Sequence, residues 1–235
     1  MAVFLVAHGA WSAGFTWRKM RPLLRAAGHE LFTPSHTGQG ERFHLANTDI
    51  DLEAHIRDVL AVLHYEDLTG VHLIGHSYGG MVATGVADRA PERIAQIIYL
   101  DAFVPRDGQS AFDLLSPGAR ERMETGAAAT GGAIPPISMP PDTPEADVAW
   151  TAPRRHPQSI RTFSQPLRLT RGETTLPRNY IYCTRIAPGD VFGQFTPRAK
   201  SEAGWRYFEL DASHNPHITA PEELTRLLVD IASAR

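Results

Sequence analysis

Residues 71–81, VHLIGHSYGGM, place one serine among glycines directly after an apolar run. Residues 71–74 predict a buried strand and residues 78–89 predict a helix, so Ser77 falls in the turn between them. The segment GHSYG at residues 75–79 fits the pattern G-x-S-x-G, in which a strained strand-to-helix turn exposes a serine hydroxyl at the edge of a sheet. Glycines relieve the crowding of such a turn. We therefore predict that Ser77 is a nucleophile rather than a serine that only caps the helix.

The rest of the chain alternates short apolar runs with segments of helical period. The predicted strands are residues 2–7, 29–33, 71–74, 94–100, 180–183 and 205–210. The predicted helices are residues 16–27, 51–63, 78–89 and 222–232. Strands separated by helices indicate right-handed βαβ units. The predicted fold class is α/β, with a sheet of about six mostly parallel strands and helices on both of its faces.

A long segment interrupts this alternation. Residues 105–178 show no strand pattern, and residues 125–147 are so rich in Gly, Ala and Pro that we expect irregular structure there. A long insertion in a regular α/β domain is usually a functional lid or a disordered segment. We predict a core formed by residues 1–104 and 179–235, and a cap at residues 105–178 that is inserted after the fourth strand.

Composition and charge exclude several classes of protein. The 235 residues, 43% apolar and 21% charged, suit one ordinary globular domain. A net charge of -3 argues against a nucleic-acid partner. Cys183 is the only cysteine, which excludes an internal disulfide and a cysteine-based zinc cluster and fits a reducing compartment. The segment MAVFLVAHGAW lacks the basic lead of a secretory signal, and no apolar run approaches the ~18 residues of a membrane span. We expect a cytoplasmic protein without membrane association, and the sequence carries no signal of its oligomeric state.

A serine hydroxyl needs a base that removes its proton as the new bond forms. His214 lies in DASHNPHI directly after the sixth predicted strand, at the edge of the sheet where Ser77 is expected. His217 is the nearest alternative, but it lies farther from the strand, after Pro216. We predict His214 as the base. The spacing of the other histidines fits no metal cluster, so no metal is predicted.

The carboxylate that should orient this base has three candidates. Asp101 ends the fourth predicted strand, next to the strand of the nucleophile, and protonated His214 would compensate its buried charge. Asp190 is the first acid after the fifth strand, but it lies seven residues past Cys183. Asp211, three residues before His214, is a weaker candidate. We prefer Asp101 and leave Asp190 open as the alternative.

Negative charge that develops on a carbonyl oxygen needs fixed hydrogen-bond donors. One predicted donor is the backbone N–H of Tyr78, the residue after the nucleophile. The other is the N–H of Ala10, in the HGAW loop (residues 8–11) after the first strand. Trp11 and Phe15 lie near this loop, and we expect them to border the entrance to the substrate site.

Three motifs together resemble the α/β-hydrolase superfamily, most of all the branch that holds plant methyl esterases and hydroxynitrile lyases. They are HGAW, the pattern W-x-K-x-x-P-L-L-x-A-x-G-H at residues 17–29, and GHSYGGM. The resemblance covers roughly residues 2–104 and 179–235 and leaves out the insertion. It implies an α/β-hydrolase fold, with Ser77 and His214 as nucleophile and base and with Ala10 and Tyr78 as oxyanion donors.

The sequence departs from that branch in two places. The acid of the relatives falls three residues after the cysteine of the fifth strand, where this chain has Ile186. Asp101, four residues before Pro105, is instead similar to the acid of the haloalkane dehalogenase group, although Ser77 excludes the aspartate nucleophile of that chemistry. In the lyases, a hydroxyl residue and a lysine occupy the places of Gly9 and Asn215, which disfavours cyanohydrin cleavage here.

These observations predict a serine hydrolase that cleaves small carboxylic esters or lactones through an acyl-enzyme intermediate. The mechanism requires no cofactor and no metal. The alternatives are a lyase or a C–C bond hydrolase on the same scaffold, or a ligand-binding protein of hydrolase fold. Product analysis on esters, cyanohydrins and β-diketones separates the two enzyme classes, and tight binding without turnover would indicate the third.

Overall fold

The structure, a computed structural model, describes residues 1–186 and 189–234. Its strands in chain order are β1 (Val3–Ala7), β2 (Glu30–Phe32), β3 (Val71–His76), β4 (Ile94–Leu100), β5 (Ala133–Ile134), β6 (Gln158–Ser159), β7 (Arg178–Cys183) and β8 (Trp205–Leu210). Its helices are α1 (Met20–Ala26), α2 (Leu52–Tyr65), α3 (Gly79–Arg89), α4 (Pro117–Ala129), α5 (Glu145–Thr151), α6 (Arg161–Ser164), α7 (Thr196–Ser201), α8 (Pro216–Thr219) and α9 (Pro221–Ser233).

Six of the strands form one sheet in the order β2-β1-β3-β4-β7-β8, and every neighbouring pair is parallel. The predicted α/β class and the sheet of about six strands are therefore confirmed. Sequence neighbours such as β3 and β4 pair directly, with Leu73 opposite Ile97 in the register. Their carboxyl ends lie at one edge of the sheet, where the loops after β1, β3, β4, β7 and β8 meet.

Helices cover both faces of the sheet, which is why all of β3 and all of β4 except Ala95 are buried. Leu73 belongs to an apolar cluster that includes side chains of α2 and α3, while Ile74 belongs to a second cluster that includes α1 and α9. Successive side chains of a strand point to opposite faces, so one strand supplies both clusters.

Helix α3 lies unusually close to the sheet because its first residues are glycines. A Cβ atom at Gly79 would lie 2.0 Å from the carbonyl oxygen of Ala7, and one at Gly80 would lie 2.0 Å from that of Phe103. Both obstacles are backbone atoms, so no side chain fits at either position. This contact fixes the start of α3, and with it the turn that carries Ser77.

The segment between β4 and β7 contains α4, α5, α6 and the antiparallel pair of β5 with β6. The expectation of irregular structure at residues 125–147 is wrong at both ends of that range, since α4 continues to Ala129 and α5 begins at Glu145. Ser116 caps α4 through its side chain, and the alanine-rich stretch that follows favours a helix. Strands β5 and β6 have two residues each, too few to show a period of two in the sequence.

Strand β7 starts at Arg178, two residues before the predicted start of the fifth strand at residue 180. Among the helices of the described ranges, none combines the length and the apolar character that crossing a bilayer requires.

Candidate active site

Ser77 lies between β3 and α3 in a left-handed backbone conformation, with φ of 55°. This conformation costs a residue with a side chain about 1–2 kcal/mol. Neighbouring backbone holds it: the Ser77 N–H donates to the carbonyl of Leu100 at 3.3 Å, and the Ser77 carbonyl accepts from the N–H of Phe103 at 3.1 Å. The turn therefore keeps the hydroxyl at the carboxyl edge of the sheet.

His214, in the loop after β8, lies within hydrogen-bond distance of this hydroxyl. Its Nε2 atom is 2.9 Å from Ser77 Oγ, and its Nδ1 atom is 2.7 Å from Asp101 Oδ2. An ionised carboxylate only accepts hydrogen bonds, so the contact with Asp101 assigns the ring proton to Nδ1. Nε2 is then free to accept the proton of Ser77, which is what a general base requires.

Asp101 directly follows β4 and is 4% exposed. Its own backbone is left-handed, with φ of 41°, and its Oδ1 atom accepts a hydrogen bond from the N–H of Cys183 at 3.2 Å. Burial raises the pKa of Asp101 above its usual range, although the hydrogen bonds from His214 and Cys183 act in the opposite direction. A positive charge on the neighbouring imidazole would therefore compensate a carboxylate that water does not solvate.

The other candidates for base and acid have different partners. His217 stacks on Trp17 with ring centroids 4.5 Å apart, and burial lowers its pKa to about 3. Asp190 accepts hydrogen bonds from the Tyr182 hydroxyl at 2.8 Å and from nearby backbone N–H groups. Asp211 forms an ion pair on the surface with Arg185. The structure thus brings together Ser77, His214 and Asp101.

The HGAW loop lies directly against Ser77, since a Cβ atom at Gly9 would be 3.0 Å from Ser77 Cβ. His8 orients this loop: its Nδ1 atom donates to the carbonyl of Gly9 at 2.8 Å, and its Nε2 atom accepts from the N–H of His36 at 2.9 Å. Burial lowers the pKa of His8 to about 3, which keeps it neutral as this pattern requires. The C=O and N–H of a trans peptide point in opposite directions, so the bond to Gly9 turns the Ala10 N–H away from His8.

The side chain of Tyr78 points away from Ser77 towards α2, where its hydroxyl lies 3.1 Å from His55 Nδ1. Within residues 1–186 and 189–234, neither the N–H of Tyr78 nor that of Ala10 donates to a backbone carbonyl. Among the described residues these two N–H groups, one directly after Ser77 in the chain and one directly after Gly9, therefore lack an internal backbone partner. That is the state expected of donors that serve a ligand.

The two residues expected at the entrance contact the inserted segment. Trp11 is 5% exposed, and its indole N–H donates to the carbonyl of Ile134 in β5 at 2.9 Å. Phe15 is half-buried and packs edge-on against Trp150 of α5, with ring centroids 5.5 Å apart. Their role in substrate binding stays a prediction.

One residue at this site, Phe192, was not identified from any sequence motif. Its ring lies parallel to the imidazole of His214, with centroids 4.7 Å apart and planes 7° apart. The Tyr180 hydroxyl donates to the carbonyl of Phe192 at 2.9 Å and holds it there. Phe192 is half-buried and lies in an irregular loop after β7, where no periodicity marks a packed aromatic residue, so no sequence signal was available to find it.

A separate cavity of about 230 Å³ lies beside the loop between β2 and α2. Phe43, Ile50 and Pro157 are among its apolar lining residues, and Gln158 forms part of its polar wall. Ser77 does not line it. Neither His214 nor Asp101 lines it either, so the cavity is separate from these catalytic groups.

Comparison with known proteins agrees with this geometry. The model of the alpha/beta hydrolase family matches residues 3–227. A carbendazim hydrolyzing esterase of Nocardioides sp. (strain SG-4G) is 38% identical over 97% of this chain and 98% of that protein. Methylesterase 1 of Arabidopsis thaliana is 30% identical over 43% of this chain and 40% of that protein, as the resemblance to plant methyl esterases predicted.

Among solved structures, an extracellular alpha/beta-hydrolase from a Paenibacillus species superposes with a TM-score of 0.86 at 27% identity, covering 100% of both chains. It is described as sharing structural and functional homology with tobacco salicylic acid binding protein 2. Because the family match extends through nearly the whole chain and is supported by a 38% identical relative, this protein belongs to the α/β-hydrolase family.

Proposed function

We propose that this α/β hydrolase is a serine esterase in which Ser77 is the nucleophile, His214 the general base and Asp101 the acid that orients it. The observation that carries the proposal is the continuous hydrogen-bonded series from Asp101 through His214 to Ser77, with distances of 2.7 and 2.9 Å. Hydrolysis of esters is also the activity that the names of its relatives give.

In the first half of the reaction, the Ser77 oxygen attacks the carbonyl carbon of the ester while His214 Nε2 takes the serine proton. The carbonyl oxygen becomes an oxyanion, which the N–H groups of Ala10 and Tyr78 stabilise. Each such donor typically contributes ~3 kcal/mol to the transition state. The bond to the leaving alcohol then breaks as His214 returns the proton to its oxygen, and the acyl group stays on Ser77.

In the second half, a water molecule attacks the acyl-enzyme and His214 again accepts a proton. Collapse of the intermediate releases the carboxylic acid, and the proton on His214 returns to the Ser77 oxygen. Asp101 stays ionised throughout and stabilises the imidazolium form of His214 in both halves. The reaction needs only side chains and backbone groups of this chain.

We further propose that residues 105–178 act as a cap that selects the substrate. Support comes from contacts between this segment and residues beside the catalytic groups. Asn215, next to His214, donates to Met139 Sδ at 3.9 Å, and Trp150 packs on Phe15. Small esters or lactones are the proposed substrates, with Phe15 at the border of the site. The relative's name makes carbendazim a further compound to test.

The proposed location is the cytoplasm, and we propose that no nucleic acid takes part. The support is the single buried cysteine, which suits a reducing compartment, and the net charge of -3. The Paenibacillus structure is described as extracellular, so fractionation of the source cells is the direct test.

The test of the activity is a panel of p-nitrophenyl acetate and butyrate, δ-valerolactone and carbendazim, with the wild type and Ser77→Ala. We expect the wild type to hydrolyse at least one of them and Ser77→Ala to lose that activity by at least about 10³-fold. Ser201→Ala is the matched control, because this serine lies on the surface in α7 and should leave the rate unchanged. Undiminished turnover by Ser77→Ala would refute the proposal.

A further inference from the structure

The backbone of Trp11 is left-handed, with φ of 53°, and Trp11 directly follows the proposed oxyanion donor Ala10. A bulky residue is rarely found in this conformation, because its side chain crowds the neighbouring backbone. Strain of this kind persists only where the surroundings hold the residue in place. The residues that hold Trp11 therefore restrict the backbone of Ala10 and so help to set the direction of its N–H.

Three polar groups of Trp11 are bonded to the insertion between β4 and β7. Its backbone N–H donates to Gln158 Oε1 at 3.2 Å, and its indole N–H donates to the carbonyl of Ile134 at 2.9 Å. Its carbonyl accepts from Arg155 Nε at 3.4 Å. The first two partners lie in β6 and β5, so both strands of the small antiparallel pair accept hydrogen bonds from Trp11.

Gln158 is itself fixed in orientation. Its side chain is buried, and its Nε2 atom donates to Thr162 Oγ1 at 2.8 Å, while that hydroxyl donates to the carbonyl of Ser159 at 2.7 Å. The amide therefore presents its oxygen to Trp11 and cannot rotate without breaking the bond to Thr162.

An aromatic side chain of the same insertion contacts Tyr78, one proposed oxyanion donor, and Trp11, the neighbour of the other. The ring of Phe163, in α6, stacks on Trp11 with centroids 5.8 Å apart and on Tyr78 with centroids 5.3 Å apart. Trp11 follows Ala10, and Tyr78 is the second donor. One buried side chain of the insertion thus contacts both segments that supply the oxyanion hole.

We propose that Gln158 and Phe163 are positioning residues that complete the oxyanion hole by holding Trp11, so that the insertion preorganises catalysis as well as covering the site. His8 fixes the Gly9 carbonyl on one side of Ala10, and Gln158 fixes the Trp11 N–H on the other. This inference rests on the proposed esterase function and adds a second role for the segment between β4 and β7.

The test compares Gln158→Ala with Gln165→Ala. Gln165 lies in the same insertion and also bonds to the core, but its partners are Glu53 N and Asp51 Oδ2 at the start of α2. Both variants lose an amide that ties the insertion to the core, and only Gln158 contacts the loop of Ala10. The readouts are kcat and KM for a p-nitrophenyl ester, and the Kd of a trifluoromethyl ketone, whose adduct with serine carries an oxyanion.

We expect Gln158→Ala to lower kcat about 10- to 100-fold and to raise the Kd of the ketone by a similar factor. KM should change less than about threefold, because only the transition state carries the oxyanion. Gln165→Ala should keep kcat and the ketone Kd within about threefold of the wild type. Equal losses in both variants, or wild-type kcat and ketone affinity in Gln158→Ala, would overturn the inference.

Phe163→Leu decides the question by the same readouts should Gln158→Ala fail to fold. We expect a loss of kcat of about 5- to 50-fold with KM little changed, and an unchanged kcat would overturn the inference. The Ser77→Ala variant, measured alongside, separates this result from a failure of the proposed function. If hydrolysis does not depend on Ser77, the proposed function itself is refuted. If hydrolysis depends on Ser77 but is unchanged by substitution of Gln158 and of Phe163, only the positioning role is refuted.

Discussion

The imidazole of His214 lies face to face with the ring of Phe192, with centroids 4.7 Å apart and planes 7° apart. The hydrogen bond to Asp101 fixes one edge of the imidazole, and this stack restricts its rotation. An aromatic face also stabilises a neighbouring cation by about 0.5–2 kcal/mol, so Phe192 favours the imidazolium that forms when Ser77 attacks. The Tyr180 hydroxyl, bonded to the Phe192 carbonyl, keeps the ring in place.

Phe192→Leu should therefore lower kcat about 3- to 10-fold, because leucine retains apolar volume but loses the aromatic face. Phe195→Leu is the control from the same loop, since Phe195 lies three residues on, is buried and packs on Phe103 and Tyr180. Steady-state kinetics on one p-nitrophenyl ester compare the two variants. A larger loss of kcat in Phe195→Leu would contradict the role given to Phe192.

Asp101→Asn should lower kcat on the order of 10³- to 10⁴-fold, because an amide at this position does not hold His214 in the required tautomer. Asp190→Asn should cost less than about tenfold, since Asp190 bonds to Tyr182 and to backbone N–H groups of its own loop. Both effects are measured as kcat on a p-nitrophenyl ester. If Asp190→Asn lowers kcat more than Asp101→Asn does, the catalytic acid is Asp190, after β7, and not Asp101, after β4.

Stability towards acid should depend on histidines that are buried in their neutral form. Burial lowers the pKa of His8, His36, His55, His76 and His217 below the ordinary value of 6.5. A histidine with a lowered pKa in the folded state contributes stability that is complete above about pH 6.5 and is lost as the pH falls towards the folded pKa. For His217 and His8 that folded pKa is about 3. The free energy of unfolding should therefore fall steadily between pH 6.5 and pH 4.

His217→Phe keeps an aromatic ring on Trp17 and removes one of these titrations. Between pH 7.5 and pH 5, the free energy of unfolding should fall by about 2 kcal/mol less in the variant than in the wild type. Urea unfolding at the two pH values measures this difference, and His44→Phe, at an exposed position, is the control. An identical pH dependence in His217→Phe and the wild type would show that His217 does not titrate as proposed.

The parts of the fold that follow from local pattern were predictable from sequence. Residues 71–76 form a strand buried on both faces, and the glycines after it allow the turn at Ser77, so the position of this serine followed from composition and order alone. The prediction of an esterase agrees with the relatives and with the family match. His214 and Asp101 were candidates because parallel strands end at the same edge of a sheet, which brings distant residues together.

The features of the site that were not predicted arise from contacts between segments that are distant in sequence and irregular in structure. Trp11 was expected at the entrance, and its buried bonds to β5 and β6 could not be foreseen because those strands are two residues long. Helix α4, which Ser116 caps, was missed because the glycine and proline content of residues 125–147 favours irregular structure. Phe192 lies in a loop without periodicity, so only the packed structure reveals its contact with His214.

The proposed mechanism requires that Ser77 becomes acylated and that His214 activates it. The most direct measurement is intact-protein and peptide mass spectrometry after a brief incubation with a fluorophosphonate, on the wild type, Ser77→Ala and His214→Ala. We expect one adduct on the peptide that contains Ser77 in the wild type, none in Ser77→Ala, and labelling at least about 10²-fold slower in His214→Ala. An adduct on another residue, or labelling of Ser77→Ala at the wild-type rate, would contradict it.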